Sequence, residues 1–547
     1  MRHADKILYS DAIFTGTGAA PVSGGVAVLN DKILAVGSRG DIEGLAGSDT
    51  ERFELGDRLI LPGLCDSHAH FMLGIKDGSE NFCKGLDEGT SEADCVARLR
   101  CFADAHPDLK RFFGVGWFPA NWGDAPTPTK KSIDEAFPST PVYLECADGH
   151  SMWLNSAALA ECGYTRDTVP NTGEIGRFPD GELDGMLYGG GMELTIPYAR
   201  DLPGEELSEL AESFMKRLNA EGLTAYADMD GQTPDIMEKE YPFIKSLEDD
   251  GKLTVRLYLH PGSNYPPKAL DTAYFDEFDK YRPKFDSDLL RIVGVKTYGD
   301  CVTSVYTSAL LEPYADRPDT SGDLLYGDVK LYENWVLEAN KRGYNVRMHC
   351  TGDRAVRMAL DCYEKAGKLY GSPTLRNVVE HVELINPADI PRFAELGVIA
   401  AMQPAHLPLE LGEKLVRVGP ERSRYEWAMG SILHAGGVLS LGSDYYVTHF
   451  SPFPALYAAV TRKGVDGVQY GAYTKGEELT LAEALRAYTW AGAYGNRMED
   501  KTGTLEPGKY ADIAVFSKNL FATEPEEWLE AKNVLTLING GIVYSDI

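Results

Sequence analysis

The first 60 positions carry short β-branched and apolar runs, ILYSDAIFTGTG, GGVAVLNDKILAVGS and TERFELGDRLILPG, parted by Gly, Asn and Asp. Runs of that length closed off by turn-forming residues predict a small antiparallel sheet. The C-terminus repeats the texture in GTLEPGKYADIAVFSKNL and NVLTLINGGIVYSDI, and the Gly-rich centre of LINGGIVY predicts a hairpin turn. Two such ends could pair into one satellite domain although most of the chain separates them.

Between the ends, apolar strand patterns alternate with helical ones, as in a parallel sheet covered by helices. Strands are expected near LPGLCDSHAH, GLTAYADM, LTVRLYLH, LRIVGVKTYG, YNVRMHC, NVVEHVEL, GVIAAMQP and GVLSLGSDYY. Eight is the number that closes a (β/α)8 barrel. DRAVRMALDCYEKAG and DIPRFAELG supply helices after the fifth and sixth strands.

Spacing locates an insertion. His381 and Asp444 lie 63 residues apart, about two strand-helix units of roughly 30 residues each. His70 and Lys296 lie 226 apart, where three units need only about 90. The surplus falls after the first strand, and residues 75–205, rich in Trp, Pro, Gly and Asp, read as a lobe inserted over the barrel mouth. The remainder, 62–74 and 206–502, is left for the barrel itself.

At 547 residues the chain is longer than one ordinary core, and its 44% hydrophobic share is enough to build a sizeable one. A formal net charge of −30 repels phosphate backbones and anionic bilayers, so neither nucleic acid nor membrane is expected as a partner. The N-terminal MRHADKILYSDAIFTG has no basic-then-apolar leader, and no apolar run approaches a membrane span. Nine cysteines without a CxxC pair suit a reducing, cytoplasmic setting.

The candidate chemistry gathers at the predicted strand ends. His68 and His70 in LCDSHAH stand at i and i+2, which places both side chains on one face of a strand. Alone the pair could equally be hydrogen-bonded polar residues. Asp66 and Ser67 beside them could orient a histidine from behind. Lys296 interrupts the apolar RIVGVKTYG; it either snorkels to solvent or, desolvated, becomes a nucleophile or takes up carbon dioxide. His349 closes YNVRMHC and His381 follows 32 residues later, one repeat unit on, so both fall at equivalent heights on successive strands. Asp444 ends the eighth strand. Each of these has a bland reading as a core histidine or a turn cap, but six polar residues arriving together at strand ends are hard to attribute to chance.

With those residues assembled, the chain resembles the amidohydrolase superfamily. The set His68-x-His70, Lys296, His349, His381 and Asp444 is similar to its metal centre, and LILPGLCDSHAH and GTLEPGKYADIAVF are similar to its entry and exit signatures. DGHSMWLNSAAL, MHCTGDRAVRMALD, AMQPAH and GSDYYV resemble the N-substituted formamide deformylase-like branch, amidohydrolase family 3. The resemblance runs from about residue 5 to about residue 545. It implies a distorted (β/α)8 TIM barrel within an α/β fold, a small β-sandwich built from both chain ends (1–61 and 503–547), and a metal-dependent hydrolase of non-peptide C–N bonds. His68, His70, Lys296 as a carbamate, His349, His381 and Asp444 would hold one or two divalent ions. Imidazole and carboxylate ligands favour zinc, with manganese or iron accommodated. A metal-bound hydroxide would attack an N-substituted formamide or N-acyl carbonyl, with Asp444 as the catalytic proton carrier. Cyclic amides, carbamates and esters present similar carbonyls, and a catalytically inactive interaction protein is the reading from another class. A single-metal deaminase is disfavoured by Lys296.

Five further residues are candidates for touching a small-molecule substrate: His150, Trp153, Tyr298, Gln403 and His406. For each a structural role competes: His150 could cap a helix beginning in SMWLNSAALAE, and Trp153, with Trp117 and Trp122, could be core. Asp300 is similarly ambiguous, and His3, His106, His260, His434 and His449 read as surface or structural. Superfamily precedent suggests a dimer or larger assembly, a homodimer being the simplest.

Overall fold

The computed structural model describes residues 3–123, 126–147, 149–170, 173–195, 198, 204–263, 270–371, 374–469 and 474–547. The eight expected strands are present: β1 (Leu64–Ala69), β2 (Leu223–Asp228), β3 (Arg256–Leu259), β4 (Gly294–Tyr298), β5 (Asn345–Cys350), β6 (Val378–His381), β7 (Ile399–Met402) and β8 (Val438–Leu441). β1, β2 and β3 pair in parallel, with Leu290–Ile292 beyond β3, and β4 to β8 form a second parallel sheet. All residues of β1 to β8 but Val438 are buried, which is why they read as near-continuous apolar runs.

The two sheets meet at both edges. At one, Gly262 bridges Lys296 in parallel sense, and a Cβ there would lie 1.9 Å from the Lys296 carbonyl oxygen. At the other, Asp444 N donates to His68 O at 2.7 Å, His70 N to Tyr445 O at 3.1 Å and Ser67 Oγ to Leu441 O at 2.7 Å. Gly442 admits that approach, since its Cβ would sit 2.6 Å from His68 N. Both contacts need glycine because backbone meets backbone without room for a side chain.

Helices cover the strands. Asp353–Tyr370, after β5, buries Ala355, Val356, Ala359, Leu360, Tyr363 and Ala366 at helical spacing. Leu481–Tyr488 starts from a capping box of Thr480 and Glu483. No helix among the described residues is long and apolar enough to cross a membrane.

Both chain ends enter one eight-stranded sheet, joined where Leu59–Pro62 pairs antiparallel with Ile513–Phe516. It is mixed rather than purely antiparallel: Ala4–Ile13 runs parallel to Ala46–Glu54 and to Leu59–Pro62. The short helix Arg39–Glu43 lets the chain cross over and return in the same direction. The expected hairpin joins Asn533–Ile538 to Gly541–Ser545 through Asn539 and Gly540, whose φ angles of 50° and 71° suit a turn of type I′. Buried Arg256 of β3 ties this sheet to the parallel strands, donating to Asp512 at 2.6 and 2.9 Å.

Within 75–205 lies a separate six-stranded sheet, ordered Glu174–Arg177, Leu183–Tyr188, Ser151–Leu154, Val142–Cys146, Phe112–Trp117, Phe82–Cys83. It has its own core, including Trp117, Trp122, Trp153, Leu99 and Leu144.

Candidate metal centre

Parallel register decides which side chains share a face. Lys296 lies beside Arg347, Tyr298 beside His349, and His349 beside Glu380, so these residues line one side of the second sheet. Regular alternation would turn His381 away from them. Instead His381 takes a left-handed φ of 71° and Asp444 one of 56°, conformations that histidine and aspartate tolerate better than most residues. Both side chains thereby turn toward β1.

The result is a buried cluster. One Asp444 oxygen lies 3.0 Å from His70 Nε2 and 3.4 Å from His68 Nε2, and donor atoms of all three residues fall within 4.8 Å of one another. His381 has its ring centroid 4.6 Å from that of His68 and 4.4 Å from that of His349. Lys296 Nζ is 3.4 Å from His68 Nε2.

Each histidine is held from behind. His68 Nδ1 meets Glu380 at 2.6 Å, His70 Nδ1 meets Asp230 at 2.9 Å and His381 Nδ1 meets Gln403 Oε1 at 2.9 Å. In a neutral ring, as His68 and His381 are, an oxygen acceptor at Nδ1 fixes the proton there and leaves a lone pair on Nε2, the arrangement a metal-binding imidazole requires. His349 is turned the other way, Nε2 facing Cys301 O at 2.9 Å, so Nδ1 is its available atom. Glu380 is itself bound by Arg347 at 2.9 Å, and Arg347 also donates to Ser67 O at 2.7 Å.

Burial, then the Lys296 charge, pulls His68 well below the ordinary imidazole range; burial and His381 do the same to His349. Burial also keeps His381 low, against the pull of Asp444. These rings are neutral and able to ligate. Burial lowers His70 too, but hydrogen bonds to Asp230 and Asp444 outweigh it and lift the ring to about 10. Burial brings Lys296 down to about 8. For Asp444, burial is outweighed by the hydrogen bond from His70 and the pull of the imidazoles around it, that of the charged His70 ring included, which hold it below the usual carboxylate range. The donors are imidazole nitrogens and a carboxylate oxygen, largely buried and convergent, with His68 and His381 in ligating tautomers and His70 needing only to release its Nε2 proton, and so fit a divalent transition-metal ion.

A family model described as "Amidohydrolase family" matches residues 52–544. The chain belongs to the amidohydrolase family. Among its relatives, Protein LONG AFTER FAR-RED 3 of Arabidopsis thaliana is 29% identical, over 99% of this chain and 92% of that protein. N-substituted formamide deformylase of Arthrobacter pascens is 25% identical, over 95% and 94%. An uncharacterized metal-dependent hydrolase from Pyrococcus horikoshii OT3 superposes with a TM-score of 0.72 at 23% identity, covering 95% of this chain and 98% of that one. The amidohydrolase fold is thus shared along almost the whole chain.

The remaining candidates of this amidohydrolase divide. Gln403 is spoken for by His381, which makes it a support for that ring. His406 stacks beside His381 at 6.5 Å with Nε2 4.0 Å from Asp444, and Tyr298 lies 5.6 Å from the His349 ring. His150 comes from the inserted segment, its ring 5.4 Å from that of His349. It caps no helix: Ser151–Leu154 is a strand, and Asn155 caps the helix that follows. Trp153 does not join the cluster. It is fully buried in the core of the inserted segment against Trp117 and donates its indole N–H to Thr129 O. Asp66 and Ser67 do not touch the imidazoles; Asp66 accepts from His68 N, Ser443 N and Ser443 Oγ, stitching β1 to the turn after β8. Asp300 accepts backbone N–H groups of Ala309, Thr351 and Gly352 and so shapes loops.

Sequence reasoning passed over Glu380, Asp230 and Arg347. Signals pointed to the first two: a carboxylate directly before His381, and acids at 228 and 230, at and just beyond a strand end, spaced like His68 and His70; none pointed to Arg347.

Proposed function

We propose that this amidohydrolase is a metal-dependent hydrolase of non-peptide C–N bonds, acting on small N-substituted formamides or N-acyl compounds. One observation carries the reading: His68, His70 and Asp444 bring donor atoms within 4.8 Å of one another, with His381 packed beside His68, and all three histidines have Nδ1 engaged by an oxygen acceptor. The name of the Arthrobacter relative supports the choice of substrate class. In this reading the two parallel sheets close as a distorted (β/α)8 barrel (62–74 and 206–502), the inserted segment (75–205) caps the substrate, and the chain ends (1–61 and 503–547) form the sandwich domain.

His68, His70, His349 and His381, with Asp444 and a carboxylated Lys296, would hold one or two ions, zinc by preference. When bound, such an ion supplies an acidified water and polarises the substrate carbonyl. Asp444 orients the attacking water and takes its proton as the new C–O bond forms. The same carboxylate passes that proton to the departing nitrogen as the C–N bond breaks, giving acid and amine. His150, Tyr298 and His406 line the approach to the cluster and would contact the acyl or amine substituents.

Elemental analysis of freshly purified protein, with a turnover screen of N-formyl, N-acyl and cyclic amides, tests the proposal. We expect bound transition metal and turnover of an N-formyl or N-acyl substrate that Asp444→Asn abolishes. Protein that neither holds a metal nor gains activity with added zinc or manganese overturns it. The ratio of ion to protein separates a one-ion centre from a two-ion centre that includes carboxylated Lys296.

A further inference from the structure

Two buried carboxylates stand behind His70. Asp230 meets His70 Nδ1 at 2.9 Å with one oxygen, and with the other accepts the Met72 backbone N–H at 3.1 Å. Asp228, at the end of β2, accepts the Phe71 backbone N–H at 2.8 Å. The Gln232 amide lies between them, donating to Asp228 at 3.3 Å and to Asp230 at 3.4 Å. The histidine and the first turn of the helix after it, Phe71–Asp77, are therefore gripped as a unit by the strand end of β2. That helix receives no cap from the His70 side chain itself.

This support differs from the one behind His68. Glu380 is matched by the buried Arg347 guanidinium. Among the described residues, no cation other than His70 is in salt-bridge contact with Asp230. Its charge is directed chiefly at the imidazole.

We infer that Asp230 is a positioning residue for the metal centre: it fixes His70 in the tautomer that presents Nε2, raises the ring's ligand strength, and thereby sets the affinity of the site for a divalent ion. The inference rests on the metal-dependent reading above. A carboxylate behind a ligating imidazole typically contributes 10–100-fold in metal affinity. Asparagine keeps the shape and offers Met72 or His70 a single oxygen, while removing the charge.

The test is competition for Zn2+ between metal-free full-length protein and a chromophoric chelator, together with the visible spectrum of the Co2+-loaded protein and thermal unfolding without metal. Asp230→Asn is expected to lower Zn2+ affinity about 10–100-fold and to shift the Co2+ bands, while Asp230→Glu recovers part of the affinity. Should Asp230→Asn not fold, Gln232→Leu, which removes only the steering amide, is expected to move affinity the same way by a smaller factor. Zn2+ affinity within twofold of the parent in a folded Asp230→Asn, or no change in a folded Gln232→Leu where Asp230→Asn does not fold, overturns the inference. So does loss of metal-free thermal stability with unchanged Co2+ bands. A parent protein that binds no Zn2+ overturns the metal-dependent reading instead.

Discussion

Glu380 joins two buried donors, and replacing it with glutamine separates its two duties. It accepts from His68 Nδ1 at 2.6 Å and from Arg347 at 2.9 Å, and none of the three residues is more than 1% exposed. Glutamine offers one acceptor oxygen and one amide that can only donate. The permanently charged guanidinium claims the oxygen, so the amide faces His68 Nδ1. The imidazole must then carry its proton on Nε2, the atom 3.4 Å from Asp444. In Glu380→Gln that lone pair is lost to the metal, and Zn2+ affinity should fall about 10–100-fold, or about 1.4–2.8 kcal/mol at 1.4 per tenfold. Metal-free stability should fall by about 1.5–3 kcal/mol for the lost charge-assisted hydrogen bond. Glu380→Ala is harsher. It leaves a buried guanidinium uncompensated, about 3–5 kcal/mol, a large part of the roughly 5–15 kcal/mol that holds a domain folded. Chelator competition for Zn2+ and urea unfolding of the metal-free proteins measure both effects. A Glu380→Gln variant that binds Zn2+ within twofold of the parent would refute the tautomer argument.

Three other outcomes are expected. Asp512→Ala strands buried Arg256 and should cost about 3–5 kcal/mol in urea unfolding, whereas Arg256→Met with Asp512→Leu should restore most of it, both without altering Zn2+ affinity. Trp153→Ala should cost about 3–5 kcal/mol as a core cavity and expose residues 75–205 to limited proteolysis, leaving Zn2+ affinity of the intact protein unchanged. Lys296→Ala should lower the metal content per chain; unchanged content would remove Lys296 from the ligand set.

The parallel strands were legible because burial on both faces gives apolar runs that turn residues cut cleanly. The clustered histidines were legible because strand ends are where such runs first admit polar side chains. Alternation fails at β6. Glu380 and His381 are neighbours that should face opposite ways, yet the left-handed φ of His381 brings both to the cluster, and no local pattern announces that angle. Asp230 lies 160 residues from His70 and meets it only through the pairing of β1 with β2. Trp153 misled for a related reason: an aromatic in an inserted segment suggests a pocket until the segment proves to have a sheet and core of its own.

The sheet built from both chain ends has a consequence for synthesis. Leu59–Pro62 waits for Ile513–Phe516, about 450 residues later, and at about 5–20 residues per second that interval is roughly 20–90 s on the ribosome. Through that time an apolar strand that leads directly into the first two histidines has an open edge, a template for pairing with another nascent chain. Yield in cells should therefore depend on translation speed and chaperone supply more than a good final stability would suggest, and a chain cut short by its last 35 residues should be lost to aggregation although every residue of the histidine–aspartate cluster has already been made.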